Sequence, residues 1–218
     1  MNYQIKLEEI LKNINKPLKL LLHACCAPCS SYVIEYLSKY FDITILYYNP
    51  NIYPFDEYTR RMNELKDFLT KYKTINKVKL IEVPYNDKEY YNSVVGLENL
   101  GERSIRCYNC YKFRMEYAAI YAKDNNFDYF TTTLSISPYK NSLWINEIGE
   151  ELESKYGIKY LYSDFKKKNG YKRSLELSSI YNLYRQDYCG CKFSFESRNK
   201  ISDLKNGSTS NSVGGTKN

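Results

Sequence analysis

The sequence predicts an α/β fold, a parallel sheet with helices on both faces. Three observations carry this. Apolar runs of strand length alternate with stretches of helical periodicity from Leu18 to Phe165. The runs are mostly continuous rather than alternating in polarity, as in strands buried on both faces. The segments between them are spaced as in βαβ units, the crossover that parallel neighbours require.

The elements follow in order. MNYQIKLEEILKNINK has the charge alternation of an amphipathic helix, expected over about residues 3–15, and lacks the apolar run of a signal peptide. LKLLLHA (Leu18–Ala24) is a continuous apolar strand, and CCAPCSSYVIEYLSKY behind it has helical spacing. DITILYYNP (Asp42–Pro50) is the second strand, PFDEYTRRMNELKDFLTKY a helix, and VKLIEVPY (Val78–Tyr85) the third strand. A long helix is expected from about Cys110 to Asp124, then strand DYFTTTL (Asp128–Leu134), helix KNSLWINEIGEELESKY and a last strand IKYLYSDF (Ile158–Phe165), with one more helix beyond a basic run. Pro84 and Pro138 end strands or loops, as proline does. From Ser197 the composition turns to Ser, Asn, Gly and Lys, so residues 1–196 are expected as one catalytic domain and 197–218 as a disordered tail.

With 218 residues and 43% apolar content, the chain can bury one good core. No apolar run reaches bilayer length, so a soluble, cytoplasmic protein with no membrane partner is expected. The net charge of +7 suits contact with a polyanion. The 25 tyrosines offer stacking surfaces but are explained as readily by core and surface filling.

Seven cysteines fall in three short clusters: HACCAPC (Cys25, Cys26, Cys29), RCYNC (Cys107, Cys110) and DYCGC (Cys189, Cys191). In a reducing compartment clustered thiols hold metal or do redox work rather than form structural disulfides. Ligands of an open parallel sheet bind beyond the carboxyl ends of its strands, and Cys25 and Cys26 follow the first strand at once. Pro28 favours a helix start there, whose N–H groups and positive end would stabilise thiolates. HACCAPCSS contains no glycine and matches neither phosphate-loop pattern, so no nucleotide cofactor is expected.

RCYNC, read as lying just before the long helix, supplies two sulfurs that converge on one metal or cluster, and Cys25 with Cys26 makes four. Four thiolates hold zinc as well as a [4Fe-4S] cluster, and the Cys-Cys dipeptide at the functional edge of the sheet favours iron-sulfur. His23, the one histidine, is placed to orient a sulfur or deliver a proton, or is simply a hydrogen-bonded structural residue. In DYCGC the two cysteines close only a tight ring that Gly190 relieves, which suits a pair that is reduced and reoxidised. Two additional metal ligands would read the same way in sequence.

Taken together, LLHACCAPCSS, YYNPNIYP, RCYNC, FDYFTTTLSISPYKN, SDFKKKNGYKRS and YRQDYCGC resemble the iron-sulfur, cobalamin-independent epoxyqueuosine reductase family from about Leu18 to Phe195. The resemblance implies a Rossmann-like sheet similar to the adenine nucleotide alpha-hydrolase-like fold. It also implies reductive removal of the epoxide oxygen of epoxyqueuosine at the tRNA wobble position, giving queuosine. Carried over residue by residue, the cluster ligands fall on Cys25, Cys26, Cys107 and Cys110 and the redox-active disulfide on Cys189 and Cys191, with Cys29 available to an additional iron ion. Opening the epoxide takes two electrons, which the Cys189/Cys191 dithiol stores, and the proton donor is sought among Asp187, Tyr188 and His23. The electron donor stays unknown. The run DFKKKNGYKRS, with Lys166, Lys167, Lys168, Lys172 and Arg173, is expected to contact the tRNA backbone, its alternative being a solvated loop. Two rival readings stand beside this one: an ATP-dependent tRNA-modifying enzyme of the same broad fold, and a non-catalytic zinc-stabilised RNA-binding module.

Overall fold

The computed structural model describes residues 2–207, with side chains described for 2–200. Five parallel strands form one sheet: β1 (Leu18–His23), β2 (Phe41–Tyr47), β3 (Val78–Glu82), β4 (Tyr129–Thr132) and β5 (Lys159–Tyr160), in the order β3-β2-β1-β4-β5. Around it lie helices α1 (Tyr3–Lys12), α2 (Ala27–Leu37), α3 (Phe55–Lys71), α4 (Lys88–Ser93), α5 (Ile105–Asp124), α6 (Ser142–Tyr156), α7 (Gly170–Ile180) and α8 (Lys192–Gly207). This is the Rossmann-like α/β fold expected from the strand and helix pattern. Among the described residues no helix is long and apolar enough to cross a membrane.

Period-two alternation on β1 places Leu20 and Leu22 in the core shared with α1, α2 and α3, and Leu21 in the core shared with α5 and α6. Both faces of the central strand are therefore covered, which is why its sequence reads as an unbroken apolar run. Strand order proceeds outward from β1 to β2 and β3 on one side and to β4 and β5 on the other. The connections diverge between β1 and β4, opening a crevice at their carboxyl ends.

The boundaries differ from the expected ones for local reasons. The last strand pairs over Lys159–Tyr160 only. Beyond it the side chain of Asn146 takes over the backbone of Ser163, accepting from its N–H at 2.9 Å and donating to its carbonyl at 2.9 Å, so the sheet ladder stops. β4 ends when the Thr132 side chain accepts from the N–H of Leu134 at 3.2 Å and turns the chain into a 3-10 helix over Thr133–Ile136. α4, which no periodicity announced, is held by Tyr90, buried beside Cys110 and Val94.

Two corrections bear on the site. α5 begins at Ile105 behind an extended Ser104, so RCYNC forms the first turns of the helix instead of preceding it. Serine is a preferred N-cap residue, although here the Ser104 hydroxyl donates to the Gly101 carbonyl at 2.7 Å and makes no side-chain cap. Past Ser197, where composition suggests disorder, α8 continues to Gly207. Phe193 anchors its start, packed against the Tyr90, Val94 and Cys110 cluster with the Arg106 guanidinium 4.3 Å from its ring centre, and a started helix then propagates one bond per residue. The rest of the expected tail, 208–218, lies outside the described residues.

Candidate metal and redox site

Strand β1 ends at His23, and the chain turns through Cys25 and Cys26 before α2 begins. Cys26 is the N-cap of α2, in extended conformation, with Pro28 just inside the helix, as the sequence suggested. The Cys26 carbonyl accepts from Ser30 Oγ at 2.7 Å, and Asn49 Nδ2 donates to the Ala24 carbonyl at 2.8 Å, so the loop is fixed from both sides. Cys29, one turn into α2, joins the pair: the sulfurs of Cys25, Cys26 and Cys29 all lie within 4.8 Å of one another, the one such trio of metal-ligating side chains among the described residues. Cys25 and Cys26 Sγ are 3.8 Å apart. That is about the spacing of two sulfurs on one tetrahedral ion with metal–sulfur bonds of about 2.3 Å. The donor set therefore fits a metal.

Hydrogen bonds from Cys26 and then Cys29 hold the Cys25 thiol well below its ordinary value, while the bond to Cys25 pushes Cys26 up to about 12 and those to Cys25 and Cys26 push Cys29 up. The trio gives up one proton readily and shares the charge. Cations surround it. Arg61 and Arg114 are 1% and 2% exposed, and in both the desolvation that opposes their charge is outweighed by the combined effect of nearby groups, Cys26, Cys25 and Glu57 for Arg61 and Cys110, Cys25, Cys189 and Tyr111 for Arg114. Lys140 is half-buried on the cavity wall, its charge opposed by desolvation and favoured by Cys189, Cys25 and Cys29. Buried charge is costly unless compensated, so this much cation is understandable only around groups meant to be anionic.

On α5, Cys107 and Cys110 are three residues apart and project from one face. Cys107 lies on the wall of a cavity of about 750 Å³, together with Cys29, Cys189 and Cys191. Cys110 is buried with Tyr90 and Val94. These two sulfurs are not in the close Cys25 trio; burial raises both thiols, and after it the strongest charged neighbour is Cys189 for Cys107 and Arg114, which opposes the rise, for Cys110, with Cys189 next. All three cysteine motifs thus converge on the crevice beyond β1 and β4, in two groups.

The CGC turn is held from several sides. The N–H of Cys189 donates to Ser194 Oγ at 3.1 Å, and Ser194 in turn donates to Glu102, a further cavity-wall residue. The Gly190 carbonyl accepts from the Tyr53 N–H at 2.8 Å. Gly190 has φ +113, a conformation that glycine alone adopts without strain. Cys191 is buried, and that burial pushes its thiol up to about 12, with Cys189 and Cys110 adding to the effect.

The three proton-donor candidates are placed differently from one another. His23 is wholly buried away from the cavity wall. Its Nε2 lies 3.1 Å from the Tyr48 carbonyl, which can only accept, so Nε2 carries the proton and Nδ1 accepts from Thr132 Oγ1 at 2.9 Å. Burial, helped by Arg114, lowers its pKa to about 4. It braces β1, β4 and the residues after β2. Replacing it with Ala is expected to destabilise the fold by about 2–4 kcal/mol, from the cavity and the orphaned Tyr48 carbonyl. Denaturant unfolding of His23→Ala measures this, and a loss below about 1 kcal/mol would deny the bracing role. Tyr188 donates its hydroxyl to the Tyr53 carbonyl at 2.7 Å and is occupied. Asp187 is on the cavity wall, paired with Arg198 at 2.5 Å.

The basic run is less free than its sequence suggests. Lys166 pairs with Asp164 at 2.5 Å, Lys168 with Glu8 at 2.6 Å, and Arg173 with Glu35 at 2.8 Å and Glu176 at 3.1 Å. Lys167 and Lys172 are exposed and have no carboxylate partner among the described residues. The run does border the site, because α7 brings Tyr171 and Ser174 to the cavity wall. Arg61, Arg114, Lys140 and Glu102 were missed. Only Arg61 left a readable trace, the Glu57/Arg61 spacing of i and i+4 on a helix.

The family model described as "Epoxyqueuosine reductase QueH" matches residues 20–197. Curated proteins of that name are similar along most of the chain. The one from Streptococcus pyogenes serotype M1 is 46% identical over 176 residues, covering 80% of this chain and 69% of its own. That from Staphylococcus epidermidis is 41% identical over 204 residues, 88% of this chain and 85% of its own. That from Thermotoga maritima is 36% identical over 187 residues, 85% of this chain and 95% of its own.

Proposed function

Because the chain belongs to the epoxyqueuosine reductase QueH family, we propose that it reduces the epoxide of epoxyqueuosine at the wobble position of tRNA, giving queuosine, with a [4Fe-4S] cluster and the Cys189/Cys191 pair. It is an oxidoreductase of queuosine biosynthesis, and a tRNA substrate suits a cytoplasmic enzyme. The observation that carries the reading is the meeting of all three cysteine motifs at one crevice, ringed by buried cations.

The reaction converts an epoxide, two electrons and two protons into an alkene and water. Cys189 and Cys191 as a dithiol hold both electrons and, with the Cys191 thiol kept protonated by burial, protons to match. Closing their disulfide balances the step, and an external reductant reopens it. We assign proton delivery to the two carboxylates on the cavity wall, Glu102 next to the Cys189 turn and Asp187 on the rim. Cys25, Cys26, Cys107 and Cys110 would hold the cluster, with Cys29 beside them for an additional iron. Such a centre supplies Lewis acidity toward an oxygen and single-electron transfer. Arg61, Arg114 and Lys140 offset the negative charge of its thiolates.

Anaerobically reconstituted protein, given a reductant and tRNA carrying epoxyqueuosine, is expected to yield queuosine in a nucleoside digest read by mass spectrometry. No product from iron-loaded protein, with a zinc-loaded form equally folded, would favour the RNA-binding module.

For tRNA contact we assign the free members of the basic run. Replacing Lys167 and Lys172 with Ala is expected to weaken tRNA binding several-fold and to reduce the slope of affinity against salt by about one per lysine. Replacing Lys166 and Lys168, each already neutralised by a carboxylate, is expected to change the slope less. Equal slopes for both double variants and the parent would return the run to a solvated loop.

A further inference from the structure

Arg61 sits at the seam between the cysteine groups, and the reaction as written leaves it with charge compensation only. Its side chain leaves α3 almost fully buried, and Glu57 accepts from its Nε at 2.6 Å. Nη2 is buried with no hydrogen-bond partner among the described residues. Native interiors rarely leave such a donor unmatched, so an orphan points to a partner of another kind. The groups that act on this guanidinium most strongly in its favour are Cys26 and Cys25, ahead of Glu57.

The guanidinium lies against the CGC turn. A Cβ on Gly190 would meet Arg61 Nη1 at 2.8 Å and Cζ and Nη2 each at 3.3 Å. The Tyr188 ring is 5.4 Å from Cζ. One side chain therefore touches the turn that carries Cys189 and Cys191 and keeps a buried, unmatched N–H at Nη2. The absence of a Cβ at residue 190 follows from that contact as much as from the backbone angle.

We propose that Arg61 is a positioning residue for the redox turn: anchored by Glu57, it fixes a positive charge between the CGC turn and the Cys25/Cys26 pair and so favours the reduced form of the turn over its disulfide. The physical reason is that a thiolate or a polarised thiol gains from an adjacent cation and a disulfide does not, so stabilising the reduced form makes the pair the stronger oxidant. The inference rests on Cys189 and Cys191 being a redox pair.

The test uses the metal-free full chain equilibrated in glutathione buffers of graded ratio, where disulfide and two glutathione molecules exchange for dithiol and glutathione disulfide. Differential alkylation and mass spectrometry of the peptide spanning Cys189 and Cys191 read the equilibrium. Arg61→Met is expected to shift it about tenfold toward disulfide, and Arg61→Lys, which keeps the charge, less than about threefold. Glu57→Gln removes the carboxylate that partly cancels the cation and is expected to shift the equilibrium the other way. Opposite signs are the signature, because a turn merely loosened by lost packing would move both variants alike. An unmoved Arg61→Met, or shifts of one sign in Arg61→Met and Glu57→Gln, overturns the proposal. If Arg61→Met fails to fold, the sign of the Glu57→Gln shift decides. Wild-type protein that forms no such disulfide at any ratio would defeat the redox reading and this inference together, whereas a wild-type disulfide indifferent to the variants defeats only the role of Arg61.

Discussion

Cys189→Ser and Cys191→Ser are each expected to lower multiple-turnover reduction by about 10³-fold or more, the scale on which loss of an essential reacting group acts, while bound iron and its visible absorption stay as in the parent. Serine keeps the size of the side chain and the hydrogen bond from Cys189 N–H to Ser194, so the turn survives. What is lost is the sulfur that must join its partner, and with it the two-electron store. The two cysteines are not equivalent. Cys189 is half-buried on the cavity wall and Cys191 is buried with its thiol pushed up to about 12. Cys189 is therefore expected to alkylate first in reduced, metal-free protein, because the thiolate is the nucleophile and access governs the rest. Loss of iron from either serine variant would instead make the pair metal ligands. Full turnover in both would leave the turn without a redox part.

How far the sequence reached depends on what each residue answers to. The sheet was legible because β1 is buried on both faces by its own neighbours, and burial of that kind writes itself as LKLLLH without reference to distant chain. The Cys25 and Cys26 turn was legible for the same reason, a strand end and a proline-marked helix start being local events. RCYNC was misplaced relative to α5 because the helix start was judged from apolar spacing, and the first turn of α5 packs through sulfurs and arginine instead. The compensating cations could not be read at all. Arg61 and Arg114 stand on amphipathic helices rich in charge, and only tertiary packing decides that these two point inward. The basic run was over-read for the complementary reason: Glu8 and Glu35, which neutralise Lys168 and Arg173, lie well over 100 residues away in sequence.

The ligand set yields the sharpest contrast between two groupings of the same thiols. Sequence blocks assign the cluster to Cys25, Cys26, Cys107 and Cys110, whereas the close trio in space is Cys25, Cys26 and Cys29. Cys25 and Cys26 belong to both, so Cys25→Ser or Cys26→Ser is expected to remove bound iron and sulfide almost completely after anaerobic reconstitution, and activity with it. The others separate the cases. A four-iron cube carries one thiolate on each iron, so its ligands need not crowd within the span of a single ion, and the cavity-facing Cys107 with Cys110 beneath it completes such a set from across the crevice. On that assignment Cys107→Ser and Cys110→Ser lose the cluster, roughly four irons and four sulfides per chain, while Cys29→Ser keeps the sulfide and loses at most one iron. Elemental analysis decides directly, since sulfide counts the cluster and iron in excess of sulfide counts anything beyond it. If Cys29→Ser strips the sulfide and Cys107→Ser retains it, the trio is the cluster site, and Cys107 and Cys110 belong with Cys189, the charged group that most raises both their thiols after burial.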